Sequence, residues 1–238
     1  MSGDSERRDK DCLLRCRDVE VDPLRMEAFI EAMTPPGPLY LRSLEREALE
    51  ASVPVIRPQT QDLLRFFLRM KKPASILEIG TAVGFSALFM KNYAPEGCRI
   101  VTIEKDPVRA AQARAHFREA QELLEQGEEI ELLEGDALDI LPGLGGDASF
   151  DFVFMDAAKG QYIHYLPEVR RLLRAGGLLI TDNILQEGEI LSSRYIVTRR
   201  NRTIHSRMRT YLRTLMEDPA LETLLLPAGD GAAVSVKI

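Results

Sequence analysis

From residue 75 onward the chain alternates short apolar runs with helical stretches, and few folds satisfy that rhythm. The runs lie at 75–79, 99–103, 129–133, 151–155 and 178–181, with helical patterning at 85–93, 107–125 and 162–173 between them. Strands that need cover on both faces, joined by helical crossovers, predict a doubly wound, mostly parallel α/β sheet. Asp106 and Pro107 supply an N-cap and a proline at the first helical position. Ala175, Gly176 and Gly177 offer the glycine that would close the helix before the fifth strand. The rhythm then breaks. A helix at 204–217 precedes apolar runs at 222–226 and 232–238, joined through 227–231 (PAGDG), which predicts an antiparallel hairpin and seven strands in all.

Three helices are expected before residue 75. The first, at 24–33, is stopped by Thr34-Pro35-Pro36-Gly37-Pro38, and the second spans 39–51. The third follows Arg57-Pro58, places Leu63, Phe67 and Met70 on one buried face, and ends at Pro73. The 238 residues therefore divide into 1–20, poorly ordered or accessory, 21–72, N-terminal helices, and 73–238, a ligand-binding α/β core, all within one domain. Cys12, Cys16 and Cys98 form no disulfide framework, and no His or further Cys beside Cys12 and Cys16 completes a zinc site. No apolar run approaches the ~20 residues of a membrane span. The charged N-terminus is unlike a signal peptide, so a cytoplasmic protein without a membrane partner is expected. A net charge of −6 argues against coating nucleic acid over the whole surface.

Ligands of open α/β sheets sit at the carboxyl ends of the strands. The first strand ends in Glu78-Ile79-Gly80-Thr81-Ala82-Val83-Gly84-Phe85-Ser86, whose G-x-x-x-G spacing differs from the G-x-G-x-x-G of dinucleotide binders. Glu104 closes the second strand, where a carboxylate can accept from two ribose hydroxyls, and Asp136-Ala137 closes the third, beside an adenine edge. Each feature has a structural explanation of its own. In this order at successive strand ends they point to S-adenosylmethionine.

The fourth strand ends at Asp156, with Lys159 three residues on, and the fifth at Asp182-Asn183. Adjacent parallel strands lie about 4.8 Å apart, which brings these groups to one edge. Two carboxylates and an amide oxygen suit Mg²⁺ better than zinc. The bland alternative is a pair of helix-capping aspartates. A lysine pointing into the same cleft adds a general base, and base, Lewis acid and methyl donor together specify O-methylation of an acidic hydroxyl.

Asp-x-x-Lys after the fourth strand, Asp-Asn after the fifth and Glu at the end of the second together resemble the catechol O-methyltransferase family, from about residue 39 to the end. That resemblance implies the class I, Rossmann-like methyltransferase fold and a homodimer. It also implies magnesium on Asp156, Asp182 and Asn183, and Lys159 as the base. Cofactor contacts are implied from Ile56, Gly80, Ser86, Glu104, Asp136, Ala137 and Asp156. Within the family, 156–162 (DAAKGQY), 180–185 (ITDNIL) and 226–234 (LPAGDGAAV) are most similar to bacterial tRNA 5-hydroxyuridine methyltransferases, which act at the wobble position of the anticodon loop.

The 5-hydroxyl and 4-oxo groups of that base offer the same two-oxygen chelate as a catechol, so the active site alone leaves both substrates open. The charge distribution bears on the choice. From residue 190 to 216 there are seven arginines (Arg194, Arg199, Arg200, Arg202, Arg207, Arg209 and Arg213) and no acidic residue. Arg199, Arg200, Arg202 and Arg207 are the expected RNA contacts; a solvated basic face is the plain alternative. With no tryptophan, base stacking falls to Tyr195, Tyr162, His164 or Phe85. A nicotinamide-dependent oxidoreductase is a further reading, opposed by the glycine spacing.

Overall fold

A computed structural model describes residues 22–124, 130–193 and 195–238. The expectations for 1–20, Cys12, Cys16, residues 125 and 129, and Arg194 fall outside the described residues. The chain divides into two compact units, residues 1–36 and 37–238. In the first, helix α1 (Pro23–Met33) starts on Asp22, whose carboxylate accepts from Leu24 N at 3.0 Å, and stops before the proline-rich breaker.

The second unit holds a seven-stranded sheet: β1 (Ser75–Ile79), β2 (Arg99–Glu104), β3 (Glu131–Glu134), β4 (Phe150–Met155), β5 (Leu173–Thr181), β6 (Leu221–Leu226) and β7 (Ala232–Lys237). The order is β3-β2-β1-β4-β5-β7-β6; five strands run parallel and β7 is antiparallel to both its neighbours. Strand order reverses between β1 and β4, and that crevice is where such sheets bind ligands. Alternate residues feed two cores. Leu77, Val153, Met155 and Leu179 pack on one face with Tyr162, Tyr211 and Leu215. Ile76, Phe152, Phe154 and Ile180 pack on the other with α2 (Leu39–Glu50), α3 (Pro58–Lys71) and α4 (Phe85–Tyr93). The expected helices at 39–51 and after Pro58 thus belong to the sheet's own unit.

Three local expectations differ from the structure. On α3 the fully buried positions are Thr60, Leu64 and Leu68, and Met70 is exposed, because the face turned to the sheet lies one residue from the one expected. Glycines 176 and 177 do not cap a helix: α7 (Tyr162–Leu172) runs directly into β5. Pairing jumps from Phe150↔Leu173 to Phe152↔Leu178, so the extra β5 residues bulge outward with Gly176 at φ +71°. The third strand begins at Glu131, two residues later than expected. By contrast, α5 (Pro107–Leu124) begins as expected, with Asp106 Oδ1 accepting from Val108 N and Arg109 N at 2.9 and 3.2 Å.

Candidate active site

The glycine loop after β1 is shaped by close approach. Gly80 has φ +93°, and a Cβ there would lie 2.5 Å from the Asp156 carbonyl oxygen, so glycine is what lets the ends of β1 and β4 touch. The loop lines a cleft with Pro54, Val55, Ile56, Phe85, Ser86 and Asp156. The expected cofactor residues Ile56, Gly80, Ser86 and Asp156 therefore share one cavity. Glu104 stands behind the loop, its two oxygens accepting from Ala82 N and Asp106 N, each at 2.8 Å. Each oxygen retains a further lone pair. Asp136 caps the short helix α6 (Ala137–Ile140) by accepting from Leu138 N at 3.0 Å and pairs with Lys105 at 2.6 Å. The Lys105 hydrogen bond holds the Asp136 carboxyl below its ordinary range.

Beneath the loop Glu78 is fully buried. Thr102 Oγ1 donates to its Oε2, while its Oε1 and the nearby Thr81 hydroxyl take no hydrogen bond among the described residues. Unmet polar atoms under a glycine cradle suit a polar ligand. Burial pushes the Glu78 carboxyl up to about 7, against the pull of the Thr102 hydroxyl. A carboxyl raised in the fold favours folding while neutral and loses that contribution as pH climbs toward its folded pKa. The ligand-free protein should therefore lose stability between about pH 4.5 and 7, by on the order of 3 kcal/mol from this group. Glu78→Gln should flatten that part of a chemical-denaturation pH profile; parallel profiles would remove Glu78 as the cause.

Asp156, Asp182 and Asn183 meet at the ends of β4 and β5. Asn183 Nδ2 donates to Asp156 Oδ1 at 2.8 Å, and its own Oδ1 accepts no hydrogen bond among the described residues. Asp182 Oδ1 accepts from Asn183 N at 2.8 Å and Thr60 Oγ1 at 3.1 Å. Asn183 adopts φ +60°, a left-handed conformation that asparagine tolerates better than most residues. Burial raises both carboxyls. Asp182 is pushed to about 7, with the charge of Asp156 as the second cause. The Oδ2 atom of each takes no hydrogen bond among the described residues. Two adjacent carboxyls, each with an unused oxygen, beside an amide make an all-oxygen donor set that fits a hard divalent ion. Among the described residues no trio of His, Cys, Asp and Glu gathers, and this set itself holds only two carboxylates.

Lys159 lies in the short 3₁₀ turn Lys159–Gln161, and its Nζ is 3.1 Å from Asp230 Oδ2. Asp230 was not singled out by sequence reasoning. It arrives from the turn between β6 and β7, 71 residues away in sequence, and its Oδ1 also accepts from Glu187 N at 2.6 Å. Glycines on either side allow that delivery. A Cβ on Gly231 would lie 2.3 Å from Leu185 and one on Gly229 2.7 Å from the Thr60 hydroxyl. Tyr162, expected as a stacking residue, instead supports the end of β5: its hydroxyl donates to the Asp182 carbonyl at 3.3 Å.

The expected RNA contacts separate into two kinds. Arg199 and Arg200 are exposed. Arg202 instead donates to the Val197 and Tyr195 carbonyls at 3.2 and 3.4 Å, and Arg207 to the Gly160 carbonyl at 3.2 Å. Both therefore brace the loop and the turn that carries Lys159. Of the stacking candidates, Tyr162 and Phe85 are core residues, whereas Tyr195 is 87% exposed and His164 is exposed. No helix among the described residues is long and apolar enough to cross a membrane.

The strand order, the glycine cleft and the acidic strand ends define a class I methyltransferase fold. The chain belongs to the O-methyltransferase family, whose profile matches residues 37–238. It is 35% identical over 146 residues to a catechol O-methyltransferase of Niastella koreensis, covering 60% of this chain and 64% of that protein. A catechol O-methyltransferase of Mycobacterium tuberculosis is 38% identical over 117 residues, covering 49% and 51%. The chain thus spans between half and two thirds of these relatives. The structure of a Podospora anserina methyltransferase bound to S-adenosylhomocysteine superposes with a TM-score of 0.77 at 28% identity, covering 90% of this chain and 94% of that one.

Proposed function

We propose that this chain moves a methyl group from S-adenosylmethionine to an acidic hydroxyl with a second oxygen beside it, assisted by Mg²⁺. The observation that carries the reading is the Asp156–Asp182–Asn183 set, each carboxylate with an unused oxygen, whose Asp156 lines the same cleft as Gly80 and Ser86. The glycine loop and Ile56 would hold the cofactor, with Glu104 accepting from its ribose and Asp136-Ala137 bordering its adenine. Asp156, Asp182 and Asn183 would hold the metal. When bound, the cofactor supplies an electrophilic methyl and the metal acidifies the substrate hydroxyl. Lys159 takes the proton at Nζ, and Asp230 gives the resulting ammonium an immediate counter-ion.

The substrate we propose is 5-hydroxyuridine at the tRNA wobble position, giving 5-methoxyuridine, in the cytoplasm and by a homodimer. Exposed Arg199 and Arg200 next to Tyr195, itself 87% exposed, support it. The 35% identity to a catechol O-methyltransferase favours a small phenolic substrate as the second reading, with the same mechanism. Purified protein offered cofactor, Mg²⁺ and either 5-hydroxyuridine-containing tRNA or catechol separates them. Nucleoside mass spectrometry should show a 14 Da gain on the tRNA base. Efficient methylation of catechol with unchanged tRNA would overturn the RNA substrate and leave the chemistry intact.

A further inference from the structure

The α8 helix (Arg202–Glu217) turns His205, Met208, Tyr211 and Leu215 inward. The opposite stripe, by steps of three and four, is Arg202, Ser206, Arg209 and Arg213. Arg209 and Arg213 are exposed and make no ion pair among the described residues. Arg65, Arg99, Arg114, Arg170, Arg171 and Arg174 face carboxylates, whereas exposed Arg42, Arg46 and Arg57, like Arg209 and Arg213, make no ion pair among the described residues. Two like charges four apart on a helix destabilise it, so an unneutralised pair implies counter-charge from outside the chain.

The helix itself is anchored to the turn that carries Lys159. Arg207 bonds the Gly160 carbonyl, one residue past Lys159, and Arg202 holds the Tyr195 carbonyl of the loop that carries Arg199 and Arg200. From Arg202 to Arg213 the helix rises about 17 Å. One strand of a duplex presents a phosphate every ~3.4 Å of axis, so this length lies against several. On a chain of net charge −6, a basic helix face draws a polyanion to itself locally.

We infer that Arg209 and Arg213 extend Arg199 and Arg200 into a phosphate-binding track along α8, on which the backbone of a bound RNA runs away from the Lys159 turn. The track rests on the tRNA reading of the substrate. Its test is tRNA binding to the full chain over a salt series. Arg209→Gln/Arg213→Gln should weaken binding about tenfold at moderate salt and make the slope of log K against log salt shallower by roughly 1.4–1.8, the share of two phosphates. Affinity for S-adenosylmethionine should not change. Arg209→Lys/Arg213→Lys, which keeps the charge, should restore most of the slope. An unchanged slope in the glutamine variant, or a lysine variant as weak as the glutamine one, overturns the track. So does polyglutamate competing as well as tRNA, which would assign the face to an acidic polypeptide. If the wild-type chain neither binds nor methylates tRNA, the substrate reading falls and takes the track with it. If it does both and the glutamine variant matches it, only the track falls.

Discussion

Asp182→Ala is expected to reduce methyl transfer on the order of 10³-fold or more while leaving S-adenosylmethionine affinity within a few-fold of wild type. The split follows from position. Asp156 lines the cofactor cleft, whereas Asp182 sits behind it, held by Asn183 N and Thr60 Oγ1. Asp156→Ala should therefore lose both turnover and cofactor affinity, and only the Asp182 variant isolates the cation. Chelation of divalent ions from the wild-type protein should reproduce the Asp182→Ala rate, and added Mg²⁺ should restore the wild type but not the variant. Turnover that survives chelation would remove the metal from the proposal. Calorimetry showing tight Mg²⁺ binding to Asp182→Ala would remove this residue from the ligand set.

What the amino-acid sequence discloses here follows a physical division. Strands β1, β2 and β4 are legible because both their faces are buried, so apolar residues fall on both faces of each run and it stands out. Asp156 and Asp182-Asn183 are legible because strand ends converge on one sheet edge whatever surrounds them. Asp230 was hidden. Its hairpin turn reads as a turn, and nothing local says that Gly229 and Gly231 let it press against Thr60 and Leu185. The arginines show the complementary failure. Counting charge between residues 190 and 216 finds the basic segment, but only geometry separates Arg202 and Arg207, bound to carbonyls, from the exposed Arg199, Arg200, Arg209 and Arg213. The glycines before the fifth strand mislead for a related reason: a glycine at φ +71° serves a bulge as well as a helix end.

The hidden residue sets the second large effect. Lys159→Ala should lower kcat by about 10²–10⁴, the usual contribution of a positioned base, with little change in cofactor affinity. Asp230→Asn is the informative companion. The amide keeps an oxygen for Glu187 N and so preserves the loop after β5, but it removes the charge beside Lys159 Nζ. If Asp230 acts by stabilising an ammonium on Lys159, the asparagine variant should lose kcat and keep its cofactor Kd. Asp230→Ala should lose more, because Glu187 N is then left without its partner and the backbone beside Asn183 is released. The double variant Lys159→Ala/Asp230→Asn should be no slower than Lys159→Ala alone, since the counter-ion has nothing left to stabilise. Additive losses in that cycle would separate the two side chains and return Asp230 to a purely architectural role. An unchanged kcat in Lys159→Ala would instead assign the proton to solvent.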